Sequence, residues 1–304
     1  MNPPLAHVGA VFAPLELVPL LVAAGLYAKR SSTLAAKGRP VPIWRQLCFV
    51  AGLLAIVVAL VSPIAHIAEE LVIAHMVEHL LLGDVAMLLL VLGLTGPLLQ
   101  PILAIRFFDR LRVLAHPLVA LPLWALNFYL WHIPALYDAA YGGAPVHALE
   151  HVSFIFLGCM VWMPVFGPLP KPMWFTAPWK VGYVIAMRFA GAILGNVLMW
   201  SGSVLYPAYA EGERYWGISA VADQSTAGVV MMIEGTFFGL GLLAWFFFEW
   251  SREGIEKQRL LDLALEQGVE LDEARAQRAV AAGQGKRLER QLLGAGGEAD
   301  DRQG

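Results

Sequence analysis

Seven apolar stretches, near residues 12–28, 44–62, 71–95, 114–131, 148–166, 180–205 and 225–250, alternate with short breaks rich in Pro, Gly and charge. Such breaks are the composition of loops. Each stretch approaches the roughly 20 helical residues needed to cross about 30 Å of hydrocarbon. The pattern predicts an all-α polytopic membrane bundle of about seven transmembrane helices. Basic residues then give it a direction. Lys29, Arg30, Lys37, Arg39 and Arg45 follow the first stretch, Arg106, Arg110 and Arg112 the third, and Lys171 and Lys180 the fifth. Residues 1–11, 62–70 and 131–147 hold no Lys or Arg, and 206–224 hold only Arg214. The positive-inside rule therefore predicts an outer N-terminus and a cytoplasmic C-terminus. The first stretch lacks both a basic leader and a small-residue cleavage site, so it reads as a retained helix.

Composition narrows the class. Hydrophobic residues make up 58% of the 304 and charged residues 15%, and the mean hydropathy is +0.62. A water-soluble domain of this length carries much more charge. A net charge of −3 without a basic stripe sets nucleic-acid binding aside. Cys48 and Cys159 lie far apart within apolar stretches, form no CxxC pair, and read as small buried hydrophobes. Residues 1–250 read as the membrane domain. Residues 251–304 read as a charged cytoplasmic tail, helical to about 282 and frayed or disordered beyond. On the outer side Trp131, Tyr137, Tyr206, Tyr209, Tyr215 and Trp216 suit an interfacial aromatic belt.

The eight histidines are sorted by this topology. His7, His66, His75, His79, His132, His147 and His151 fall on outer loops or outer helix ends, and only His116 falls inside. Two segments repeat a motif: His75-Met76-Val77-Glu78-His79 and His147-Ala148-Leu149-Glu150-His151, both HxxEH, on helices running from outside to inside. Positions i, i+3 and i+4 share one helix face, about 6 Å apart. Each motif thus presents two imidazoles and a carboxylate together. One HxxEH alone is more often an interfacial polar cluster. Its duplicate on a helix of the same direction favours a metal site with His75, His79, His147 and His151 as ligands. Glu78 and Glu150 would then be further ligands or partners that orient the rings. His66 and His132 lie in loops able to fold over the cluster. Asp84, Arg188 and Glu234 lie inside apolar stretches, where charge is costly, and read as a buried ion pair. Asp223-Gln224 precedes the last stretch, where Asp is a natural helix cap.

Taken together, the two HxxEH segments, Trp131-His132-Ile133-Pro134-Ala135-Leu136-Tyr137-Asp138-Ala139-Ala140 and Asp223-Gln224-Ser225-Thr226-Ala227-Gly228 resemble the CtaG family of multi-pass cytochrome c oxidase assembly factors, across roughly residues 10–250. The resemblance implies a non-enzymatic protein of the bacterial plasma membrane that helps make an active haem-copper oxidase through copper handling. Its partners would be oxidase subunits or other assembly proteins. It also implies that His132, Tyr137, Asp138, Asp223 and Gln224 belong to the outer-face site.

Other readings stay open on residues alone. Imidazoles suit copper, zinc and iron, while thioethers favour Cu(I); Met76, Met231 and Met232 are near enough to count, though membrane methionines ordinarily pack. HxxEH is also the inverted zinc-protease signature, with Glu as general base. Paired histidines on facing helices could instead bind a b-type haem in an electron carrier. A midplane relay through Asp84, Arg188 and Glu234 would serve transport. A retinal protein is excluded, because the seventh stretch has no Lys for a Schiff base.

Overall fold

The computed structural model describes residues 14–106, 110–281 and 283–300, and all regular structure among them is helical. His7 and the start of the first apolar stretch lie outside these residues. The chain divides into two compact units, Met1–Gly239 and Leu240–Gly304.

Every predicted stretch has its helix. These are α1 (Pro14–Ala36), α2 (Ile43–Val61), α4 (Val72–Leu80) continuing through a π-helical segment (Leu81–Ala86) into α5 (Met87–Gly93), α7 (Pro117–Trp131), α9 (Ala144–Phe166), α10 (Ala177–Trp200) and α12 (Ala220–Glu266). Short helices α3 (Pro63–Ala68), α6 (Gly96–Leu103), α8 (Pro134–Gly142) and α11 (Ala210–Trp216) connect them. Among the described residues five helices are long and apolar enough to cross a membrane, and α7 with α8 makes a sixth if that pair, bent by 73°, counts as one. Helix α1, whose described residues include Glu16, Lys29 and Arg30, is not among them.

Why these helices pack is visible in their two faces. Leu47, Val50, Leu54 and Val58 of α2, or Ile185, Phe189, Ile193 and Val197 of α10, are exposed apolar side chains that a bilayer would solvate. The opposite faces form the interior, with Ile56, Ala59, Leu82, Met87, Val161, Trp162, Val184 and Leu198 buried. Helix α9 sits at the centre, against α7, α8, the π segment and α5, while α2 covers α5 and α10 flanks α7. Small residues allow the closest crossings. A Cβ on Gly158 of α9 would collide with the Gly83 carbonyl of the π segment, and one on Gly195 of α10 would stand 3.0 Å from the Gly228 carbonyl of α12. Backbones approach where side chains are absent, which is how membrane helices gain dispersion contact without a hydrophobic drive.

Arginines of α1 and α2 also close helix ends. Arg45 donates to the carbonyls of Leu92 (2.9 Å) and Leu94 (2.7 Å), and Arg30 to that of Pro97 (2.9 Å). The first two are carbonyls left over at the end of α5, where a cation also meets the negative end of the helix dipole.

In the second unit the helix expected to about 282 is divided, and a further helix follows it. Helix α12 stops at Glu266, Gly268 turns the chain with φ +64°, and α13 (Glu273–Ala281) and α14 (Gly285–Asp300) follow. Leu260, Ala264, Val280, Leu288 and Leu292 form a small core of their own. Lys257–Glu273 (2.6 Å) and a forked Arg259–Glu289 pair (2.7 and 2.9 Å) lie at its surface.

Candidate metal centre

Two elements carry the centre, and each is positioned by the rest of the chain. Helix α4 starts at Val72 with no side chain of its own segment capping it. Instead Asp223 of α12 supplies the cap: its Oδ2 accepts from the Val72 amide (2.7 Å) and its Oδ1 from that of Ile73 (3.0 Å). The expected role of Asp223 as cap of its own helix is therefore corrected. That helix begins at Ala220, with Ser219 Oγ accepting from the Ala222 amide at 3.3 Å. Gln224 is likewise a brace, its Oε1 accepting from the Leu205 amide (2.8 Å) and its Nε2 donating to the Ser203 carbonyl (3.3 Å).

Helix α9 turns Glu150, His151, Phe154, Gly158 and Trp162 inward, a stripe of the spacing expected for one helix face. With Gly158 against Gly83, the two HxxEH segments face one another. The rings of His75 and His79 stack at 4.2 Å, and His147 and His151 lie 4.2 Å apart. Across the gap His79 meets His151 at 5.2 Å and His75 meets His147 at 6.0 Å. The carboxylates cross over. Glu150 of the second motif points Oε1 at Nε2 of both His75 and His79 (3.8 Å each), and Glu78 of the first lies 3.8 Å from His151 Nε2.

Two overlapping donor sets result: His75, His79 and His147, and Glu78, His147 and His151, each with ligand atoms within 4.8 Å of one another. All but the half-buried His147 are buried. Nε2 of His75, His79, His147 and His151, and Oε2 of Glu150, are buried without a hydrogen-bond partner among the described residues. Buried polar atoms are nearly always paired, so four converging imidazole nitrogens left bare need an explanation. A cation is the simplest group that satisfies them together.

Aromatic rings close the centre above. Tyr137 lies 5.0 Å from the His75 ring and shares a hydroxyl contact with Tyr209 (3.2 Å), and Tyr206 stacks on Tyr137 at 4.0 Å. Trp131, Tyr137, Tyr206 and Tyr209 are all at most 5% exposed, so they wall the site instead of forming an interfacial belt. Tyr215 and Trp216 remain exposed. Nothing in local periodicity distinguishes the two groups. Burial raises the hydroxyl pKa of Tyr206 and Tyr209, which keeps both phenols neutral.

The remaining predicted residues separate. His132 is buried beside α4, with Nδ1 on the Phe128 carbonyl (2.7 Å) and Nε2 facing the Met76 thioether (3.4 Å). His66 stands one turn before Glu70 (3.8 Å) on α3 and outside both donor sets. Asp138 is exposed on α8. Deeper in the unit, Arg188 forks onto Asp84 (2.5 and 3.0 Å), which also accepts from Trp162 Nε1 (2.9 Å), with Glu234 at 3.5 Å. Cys48 and Cys159 are partly buried and unbridged.

The fold and this centre define a helical membrane protein with paired His/Glu motifs on facing helices. Comparison with known proteins supplies the family. The chain belongs to the cytochrome c oxidase caa3 assembly factor family, whose sequence profile matches residues 24–253. Uncharacterized proteins of Mycobacterium bovis and of Mycobacterium tuberculosis are each 25% identical to it over 219 residues, 66% of this chain and 33% of theirs. The chain thus aligns with about a third of the length of these curated relatives. No solved structure matches it.

Proposed function

We propose that this protein is a non-enzymatic assembly factor for a respiratory haem-copper oxidase, and that it holds copper as cargo at the facing HxxEH motifs. The observation that carries the reading is the set of four buried, unpartnered Nε2 atoms converging from α4 and α9. Imidazole nitrogen is a good copper donor, and the crossed carboxylates offset the charge of a divalent ion in a buried setting. His75, His79, His147 and His151 would bind the ion. Glu150 would face the first pair and Glu78 would face His151, as ligands or as partners that fix ring orientation. His147 belongs to both donor sets, so an ion at either position has a ligand in common with the other.

The same reading takes the chain to span a bacterial plasma membrane seven times, with α1 as the first span and the N-terminus outside. The alternation of basic connections supports this orientation, and it puts the centre at the outer face, where an oxidising compartment favours histidine over free thiols. Oxidase subunits or other assembly proteins would receive the copper there.

Elemental analysis and an absorption spectrum of detergent-purified protein, wild type beside His79→Ala/His151→Ala, test the proposal. Copper near one ion per chain or above, lost in the double variant with no Soret band, is the expected result. Haem absorbance, zinc in place of copper, or no metal after copper loading would each overturn it.

A further inference from the structure

Met76 lies between the two histidines of the first motif, and its side chain meets His132. Both residues are buried, Met76 at 2% exposure and His132 at 9%. The His132 ring is held at one end by a bond of 2.7 Å between Nδ1 and the Phe128 carbonyl oxygen. A carbonyl only accepts, so Nδ1 carries the proton. In the neutral ring Nε2 then carries a bare lone pair. That nitrogen lies 3.4 Å from Met76 Sδ, and a thioether sulfur has no proton to donate. Two acceptors therefore face each other in a buried site.

We infer that His132 Nε2 and Met76 Sδ form a second metal position, separate from the four-histidine cluster and selective for a soft monovalent ion, Cu(I) or its analogue Ag(I). Three observations agree. Thioether with imidazole is a donor pair that favours Cu(I) over divalent ions. Both donors are neutral, so the bound site carries a single positive charge, with no carboxylate among its donors. With metal–nitrogen and metal–sulfur bonds of about 2.0 and 2.3 Å, donors 3.4 Å apart subtend an angle of roughly 100° at the ion. That is near tetrahedral and leaves positions for an incoming ligand.

The surroundings fix the imidazole and leave the thioether adaptable. The His132 carbonyl accepts from Tyr206 Oη (3.0 Å), and neighbouring Trp131 is tied to Asn127 (3.0 Å) and Ser153 (2.8 Å). Met76, unbranched with three rotatable bonds, can adjust by tenths of an ångström to an ion.

This inference rests on the copper reading above, and its test separates the two. Purified full-length protein in detergent, reduced and loaded anaerobically with Cu(I), is examined by copper X-ray absorption beside Met76→Leu, a nearly volume-conserving change. The expected result is copper–sulfur scattering at about 2.3 Å in the wild type that disappears in M76L, with about one Cu(I) fewer per chain and imidazole scattering retained. Imidazole-bound copper without sulfur in the wild type overturns this inference and leaves the four-histidine reading standing. Sulfur scattering unchanged in M76L also overturns it, by pointing to another methionine. Absence of copper from the wild type overturns both. An imidazolium that merely donates N–H to sulfur predicts the first of these failures.

Discussion

Asp223 offers the sharpest test of how the centre is built, because it lies 1% exposed on a helix with no ligand of its own and reaches across to start the one that has two. Replacing Asp223 by Ala strips the first two amides of α4, at Val72 and Ile73, of their acceptor. Loss of a capping side chain costs about 0.5–2 kcal/mol, and a hydrogen bond to a charged group is worth about 1.5–3 kcal/mol. Two such bonds, less the relief of no longer burying a carboxylate, put the change at roughly 2–4 kcal/mol. Asp223→Asn keeps one acceptor oxygen and should lose about half. His75 is the fourth residue of α4 and His79 the eighth, so fraying of the first turn displaces His75 first. Copper affinity should therefore fall by about 10- to 100-fold, the range for lost orienting contacts, without a change in ligand type. Competition against a chromophoric chelator gives the affinity, the visible spectrum gives the ligand set, and thermal unfolding in detergent gives the stability. Wild-type affinity and midpoint in D223A would refute the capping argument. A spectrum showing one carboxylate ligand fewer would make Asp223 a ligand instead.

Two further outcomes follow from the interior and the loops. Arg188→Met leaves the Asp84 carboxylate buried against Trp162 without its fork; breaking a buried pair from one side costs about 3–5 kcal/mol, so the unfolding midpoint should drop sharply, whereas a midpoint within error of wild type would mean that Asp84 is solvated. Lys171 donates to the Val165 carbonyl at 3.1 Å, and burial, helped by nearby Lys180, lowers its pKa to about 8. Its reactive free amine should appear as pH rises through about 8, against about 10.4 for an ordinary lysine. Residue-resolved acylation followed by mass spectrometry reads this directly, and a Lys171 midpoint near the ordinary value of about 10.4 would refute it.

How much of this was legible beforehand depends on whether the information is local. The helices were, since apolar run length and loop composition are local properties, and so was the shared helix face of the two histidines in each motif, which needs only the helical repeat. The cross-connections were not. That Glu150 faces His75 and His79 depends on the crossing of α4 and α9, set by Gly83 and Gly158, residues that read as unremarkable in a membrane sequence. Asp223 looked like a local cap because capping is usually local; its partners are 150 and 151 residues away. Tyr206 and Tyr209 looked interfacial because aromatic residues at the ends of spans usually are, and only the path of the outer connection buries them. Beyond a helix to about 282 the tail read as frayed because its apolar residues are sparse, yet Leu260, Val280, Leu288 and Leu292 suffice for a small core once the chain turns at Gly268 and Gly283.

The π segment is the feature that lets one helix serve both the His/Glu cluster and the buried ion pair. At about 100° per residue, Asp84 would stand nine residues and roughly 180° away from His75, on the opposite face of a regular helix. Trp162, its hydrogen-bond partner, belongs to the same stripe of α9 that carries Glu150 and His151. A regular helix could not send both His75 and Asp84 toward that stripe. The wider i→i+5 turns across Leu81–Ala86 absorb an extra residue and set the following side chains back around the axis. Asp84 thereby comes round toward Trp162 and Arg188, while Gly83 stays against Gly158. The cost is a stretch of less favourable backbone geometry, and it falls between the two groups of polar residues that it brings onto one face. Geometry of this kind, more than the ligand types alone, is what distinguishes an organised centre from histidines that happen to share an end of a bundle.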